Sequence, residues 1–456
     1  PVVSIGESNT AAGSLNITGG TTLISTSLTV RSNSLASAGV SVAGGALYIT
    51  NATHTATTFM NGGSLLLGAG VFDTDNLILA NGGGITALND FLVGTTAGAT
   101  NTLALSSGST LLLTNATLGL GNNGTTNGAG TGIATITDAT INVTRLDLGS
   151  AGGGRGLLTL QSNALLNVQN NLTVISGSLV TTSSITLGGG SFTASNGLTQ
   201  IGSSGNGLLT ISAGSHVFRQ IRLGSTNGLG LGGFRFLGGH LTVLGTGTGP
   251  GQGLDSNWIL WEGGDLDGSG TSLTIANGND SNVSIPAYAF NVRGHLNSMY
   301  VGYSAGHTGT FTQAASSSVV AITDQMILGN EDCIAGARGN GNLSGGTLYV
   351  TNAAHTATLN VRKGTFILGA GAMLVVDNLI LNSACGRFIK DPGGILIMNR
   401  APQLRPDLDA DGDGQSNAAE ALAGTDPLNP LSAFQTKGVV KTNGNSIRVE
   451  WTTVGG

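Results

Sequence analysis

Positive charge is almost missing from the front of this chain. Before Arg219 the only basic residues are Arg31, Arg145 and Arg155, and the first lysine is Lys363. Charged residues make up 9% of the 456, against roughly 25% in ordinary globular domains, and the formal net charge is −6. Such a chain offers no basic footprint for nucleic acid or for an anionic membrane surface. Trypsin-like proteases find few cleavage points, which suits an exposed, extracellular life. No apolar run approaches the roughly 18 residues of a membrane helix, so no membrane span is expected. No signal-peptide pattern is visible, and Pro1-Val2-Val3-Ser4 reads as the start of a processed chain. Proline is absent from Val2 to Gly249, as a ladder that needs every backbone N–H would require. Cys333 and Cys385 are the only cysteines. They fall at different phases of the repeat described below, so spacing alone leaves a disulfide open.

What is present is glycine, at 77 positions, among serine, threonine and asparagine. Disordered chains share that bias, but here 39% of the chain is apolar. The apolar residues fall in short β-branched or Leu-rich runs ended by Gly or Asn, the pattern of strands. Gly156–Leu160 and Gly207–Ile211 are typical. Alternation points Leu158, Leu160, Leu209 and Ile211 inward and leaves Thr159 and Thr210 to water. No sustained i, i+3, i+4 apolar pattern argues for helix before Met398.

The organising feature is repetition. Gly44–Gly70 and Gly345–Gly371 are identical at more than half of their positions, and DNLIL follows each, at Asp75 and Asp377. An apolar residue plus glycine recurs at Leu67-Gly68, Val93-Gly94, Leu120-Gly121 and Leu148-Gly149, in steps of 26, 27 and 28. Ile201-Gly202, Val301-Gly302 and Leu328-Gly329 continue it. A period of about 20–50 residues marks a stacked repeat architecture. The expected fold is all-β: a single-stranded β-solenoid, right-handed by prior, over residues 1–398. Some 15 coils at about 4.8 Å each would make a rod on the order of 70 Å long. Glycines at the turns permit positive φ, and asparagines such as Asn170 and Asn171 are expected to stack their amides coil on coil.

After Met398 the text changes. Residues 399–431 hold Pro402, Pro406, Pro427 and Pro430 among acids and read as a linker with a motif. Residues 432–456 alternate like strands but are too few to close a sandwich. They are either the opening of a further domain or strands that dock elsewhere. The motif is Asp409-Ala-Asp411-Gly-Asp413-Gly414-Gln415-Ser-Asn417-Ala-Ala-Glu420. Calcium takes six to eight oxygens, and a twelve-residue loop supplies them from positions 1, 3, 5, 7, 9 and 12. Those are Asp409, Asp411, Asp413, the Gln415 carbonyl, Asn417 (directly or through water) and Glu420, with Gly414 at the sharp turn. The bland alternative is an acidic, solvated linker.

Other motifs weigh less. Asp255, Glu262, Asp265 and Asp267, with Trp258 and Trp261, concentrate acids and indoles. Paired carboxylates can cleave glycosides and indoles can stack on sugars, but a turn and a covered coil edge explain the same residues. Gly302-Tyr-Ser304-Ala-Gly306 spells a nucleophile elbow, yet it lies at the repeat turn, where no strand-to-helix transition is expected. His54 and His355 occupy equivalent repeat positions and read as hydrogen-bonded structural histidines. Gly245–Gly253 lacks the helix and lysine of a phosphate loop and reads as a flexible loop. Asn-x-Ser/Thr triplets at Asn16, Asn51, Asn115, Asn142 and Asn171 follow from composition.

The calcium loop resembles dockerin and thrombospondin type 3 loops more than a paired EF-hand. GTDPLNP after it, and repeats such as Gly207–Gly214 and Trp261–Gly278, resemble large secreted bacterial proteins with autotransporter-passenger-type strand repeats. The resemblance implies an extracellular or cell-surface structural protein or adhesin. On this reading the chain is a scaffold, not an enzyme, binding Ca2+ and self-associating head to tail. An adhesin that holds glycans through Trp258 and Trp261 is the alternative, and a polysaccharide-active enzyme the third.

Overall fold

Leucine, isoleucine and valine recur at one phase of each repeat, and the computed structural model stacks them into columns. It describes the chain except residues 1, 7–11, 33–37, 95, 97, 122–129, 150–152, 175–181, 204, 225–229, 277, 331–332, 334–335, 382, 443–446 and 454–456. Packing divides the chain into two units, Pro1–Thr246 with Gly264–Leu266, and Gly247–Gly263 with Asp267–Gly456. Each is a parallel β-solenoid, and between them they hold about 14 turns.

In the first unit, one column runs Val40, Leu65, Ile85, Leu111, Ile141, Leu166, Phe192, each in register with the next. Every member is buried, so each closes a dry contact with the coil before it. Steps along the column are uneven, shorter from Leu65 to Ile85 than from Leu111 to Ile141. The turns absorb the difference while the strands keep register. His216 and Leu241 continue the column. His216 is fully buried: its Nδ1 accepts from the Phe192 N–H at 3.2 Å, and its Nε2 lies 2.8 Å from the Ala213 carbonyl. Burial lowers its pKa, which keeps the ring neutral in that pairing. The rings of Phe192 and Phe218 stack at 4.9 Å.

The second unit repeats the device with Ile259, Val283, Phe311, Gly341, Phe366 and Phe388. Gly341 is required there, because a Cβ would lie 2.6 Å from the Phe366 ring. Phe366 and Phe388 stack at 5.5 Å with planes 4° apart. The turn glycines have the same logic: Gly302 sits at φ 70°, and a Cβ on it would come within 2.0 Å of the Arg338 carbonyl. The strand ladder continues past Met398, since Gln403–Leu404 pairs with Asn378–Leu381. Cys333 and Cys385 form a disulfide, Cα atoms 5.6 Å apart. Different repeat phases did not keep them apart, because Cys333 lies in a loop and not on a strand.

The near-identical segments carry a shared polar knot. Asp377 is fully buried and accepts from the Asn352 and Ala357 N–H groups at 2.9 and 3.3 Å. His355 Nδ1 lies 2.9 Å away, and Asn399 Nδ2 donates at 2.6 Å. Asp75 receives Asn51, Ala56 and His54 in the same way in the first unit. His54 and His355 both have φ near 54°, so each histidine is held in a left-handed turn by a buried carboxylate. Asparagine amides do meet across coils where Asn81 donates to Asn61 at 2.6 Å, while Asn171 takes the Leu198 N–H of the next coil at 3.2 Å. One expectation needs correction. The 247–253 stretch is pinned by hydroxyls of Thr271, Ser272 and Thr274, not loose. Among the described residues the one helix is Asn417–Ala423, and Phe434–Lys441 pairs antiparallel with Ile447–Thr453. No described helix is long and apolar enough to cross a membrane.

Candidate functional site

Asp409, Asp411 and Asp413 are folded by short local bonds. Asp409 accepts from the Gly412 and Gly414 N–H groups at 2.6 and 2.8 Å. Asp411 accepts from Asp413 at 3.2 Å, and Asp413 from Gln415 at 2.7 Å. Gly412 and Gly414 sit at φ 87° and 96°, a conformation natural to glycine. The result brings one oxygen from each aspartate within 4.8 Å of the others.

The helix Asn417–Ala423 delivers the fourth carboxylate. Ser416 caps it by accepting the Ala419 N–H, and Gly424 ends it at φ 73°. Glu420 is fully buried, with the Thr425 hydroxyl 3.5 Å from its Oε1. Asp411 Oδ2, Asp413 Oδ2 and Glu420 Oε2 are buried without a hydrogen-bond partner. Burial, followed by neighbouring negative charge, pushes Asp411 up to about 7 and Glu420 up to about 7. Buried carboxylate oxygens without a partner are costly unless neutralised or metal-bound. A hard cation with oxygen ligands fits this donor set.

The Asn417 amide and the Gln415 side chain make bonds of their own within the loop's surroundings. Asn417 accepts the Ala410 N–H at 3.2 Å and donates to the Arg405 carbonyl at 2.7 Å, so its amide braces the loop's flanks. The Gln415 side chain reaches the Phe434 carbonyl at 3.4 Å. The loop is seated on the solenoid's last long strand, Cys385–Lys390. The Phe388 N–H donates to the Ala410 carbonyl at 2.9 Å, and the Arg387 guanidinium lies over Gly412.

Residues 409–430 match the family model of the bacterial TSP3 repeat. Within the matched residues Leu428 is buried, and Asp426 turns the chain by accepting the Leu428 N–H at 3.1 Å. None of the curated proteins matches the chain. Among solved structures it is similar to one titled as the crystal structure of a TibC-catalyzed hyper-glycosylated TibA55-350 fragment. That likeness has 15% identity and a TM-score of 0.28, covering 88% of this chain and 97% of that one.

The acid-and-indole region separates into unlike parts. Trp261 is 1% exposed and Trp258 is 36% exposed, so Trp261 is a core residue and only Trp258 can meet a ligand. The Trp261 ring occupies the space a Cβ on Gly294 would need, 2.5 Å away. Asp265 pairs with His240 at 3.5 Å, and Asp267 accepts the Ser269 N–H at 3.0 Å. The Asp255 side chain lies outside the described residues. Gly302–Gly306 joins two strands, Val292–Val301 and Thr308–Gln313, which is not the geometry of a nucleophile elbow.

Proposed function

We propose that this chain is a non-enzymatic extracellular or cell-surface scaffold whose last coil is fastened by a calcium-loaded TSP3 segment. The carrying observation is the trio of buried, unpaired oxygens on Asp411, Asp413 and Glu420, in a loop tied to Phe388 through Ala410. Asp409, Asp411, Asp413 and Glu420 would hold the ion, with the Gln415 carbonyl, and Asn417 would brace the loop or reach the ion through water. When bound, Ca2+ supplies the positive charge that four neighbouring carboxylates lack. Calorimetric titration tests this: wild type should bind one Ca2+, and Asp411→Asn should bind far more weakly. Absence of binding by wild type refutes it.

Self-association head to tail is part of the same proposal. Heterologous contacts of that kind build open filaments. Ala410 already takes the Phe388 N–H, so the contact would fall to the C-terminal hairpin. Its Val439, Val440, Ile447 and Trp451 are all more than half exposed, and a lone hairpin is marginally stable in water. Electron micrographs at high protein concentration with millimolar calcium should show filaments; monodisperse particles refute this part. A second reading, a glycan-binding adhesin, is favoured by the exposed face of Trp258.

A further inference from the structure

We infer that the coil faces around Trp258 form a binding groove for a neutral, pyranose-type oligosaccharide. The inference extends the adhesin reading and is independent of the calcium-fastened scaffold. The strand Trp258–Trp261 alternates, with Ile259 and Trp261 in the core and Trp258 outside. Trp258 is in register with Asn282, and Asn282 with Thr310. An indole, a carboxamide and a hydroxyl therefore stand on three adjacent coils, about 4.8 Å apart. Together with Asn257, Asp280, Ser281 and Thr308 they line an open cavity of about 430 Å³. That lies within the roughly 300–1,000 Å³ usual for small-molecule sites.

Asn257 brings a second hydrogen-bonding side chain to the cavity: it is 9% exposed as a residue, it lines the cavity, and a carboxamide offers two donors and an acceptor. Asp280 is held in place by the Thr308 N–H at 2.7 Å and lies 3.7 Å from His307 Nδ1.

The lining selects the class of ligand. Among the described residues no Lys or Arg lines the cavity, and Asp280 repels anions, so phosphates and uronic acids are poor fits. Apart from Trp258 the lining is polar, which excludes lipids and apolar peptides. A flat indole takes the C–H face of a sugar ring. Amides, hydroxyls and a carboxylate match hydroxyl groups, each of which both donates and accepts.

The test uses cellohexaose and chitohexaose as neutral probes and oligoguluronate as the acidic one, measured by saturation-transfer NMR and calorimetry. At least one neutral hexasaccharide should bind the intact protein, and oligoguluronate should not. Trp258→Ala should weaken binding by about tenfold or more, while Trp258→Phe keeps a ring and most of the affinity. Asn257→Ala and Asn282→Ala should each cost severalfold. Tyr288→Ala, at an exposed aromatic outside the cavity, should change nothing. The inference is overturned if neither neutral probe binds at millimolar concentration, if binding is undiminished in Trp258→Ala, or if oligoguluronate binds as tightly. Filament formation or calcium binding can fail without affecting any of these outcomes.

Discussion

Glu420→Gln should stabilise the 409–430 segment without calcium and, on the calcium role proposed for it, destabilise it with calcium. Glu420 is fully buried and is raised from its ordinary 4.5 to about 7, chiefly by burial and then by the charges of Asp411, Asp413 and Asp409. A raised carboxyl pKa means that the folded protein keeps a proton the unfolded chain has released. Its contribution is intact below pH 4.5 and is lost progressively as pH rises to about 7. At about 1.4 kcal/mol per pH unit, the loss at pH 8 is about 3 kcal/mol. That is an upper bound, because Asp411 titrates with it. Glutamine removes this cost. Hydrogen exchange across residues 409–430, in EDTA at pH 8, should therefore show slower opening in the variant, by up to about 3 kcal/mol. At pH 5 the difference should fall below about 1 kcal/mol. With calcium at a thousandfold its Kd, wild type gains about 4 kcal/mol and the variant, lacking the carboxylate, gains little, so the order inverts. A variant that opens faster in EDTA at pH 8, or gains as much from calcium as wild type, refutes the reasoning.

Asp377→Ala should cost about 3 kcal/mol in urea unfolding, because four hydrogen-bond donors lose a buried acceptor. Burial alone would raise Asp377, but the bonds from Asn399, His355, Asn352 and Ala357 outweigh it and lower its pKa. Its stabilisation is therefore present above its ordinary 3.8 and should vanish as pH falls further, an acid dependence that Asp377→Ala should lack. Gly302→Ala should cost about 3 kcal/mol through a positive φ and a backbone clash, against about 1 kcal/mol for Gly306→Ala, where φ is positive but the space is open. Equal thermal shifts for the two would contradict the turn argument. Reducing the Cys333–Cys385 bridge should cost about 4 kcal/mol on loop-entropy grounds, read as a lower melting temperature with reductant that the Cys333→Ser, Cys385→Ser double variant reproduces without it.

Architecture was legible because a period near 27 leaves little besides a stacked coil, and alternation sorted Leu158 and Leu160 from Thr159. The clustering of Asp409, Asp411 and Asp413 was legible because they act through local bonds that spacing encodes. Other features were set by contacts between coils. Nothing local separates Trp258 from Trp261, and only the neighbouring Gly294 shows which indole lies inside. Asn417 fits a ligand position by count, yet Ala410 and Arg405 take its amide. His216 enters an apolar column because Phe192 and Ala213 offer a donor and an acceptor, which a single strand cannot reveal. Asp75 and Asp377 had a visible signal, a repeated acid trailing a repeated histidine by most of a winding, but their role depends on folding that distance into one turn.

The knot built on Asp75 and Asp377 bears on how such a chain can lengthen. Asn51, His54, Ala56 and Asp75 all lie on one stretch of chain, so one duplicated segment carries the carboxylate and these three partners with it, while Asp377 takes Asn399 as well from beyond the segment. A copy pasted elsewhere arrives with its tightest bend already satisfied and asks of its new neighbours only an apolar face in step. Growth by whole windings is thus cheap for this chain, while insertion of a fragment shorter than one winding would strand the carboxylate from the groups that neutralise it.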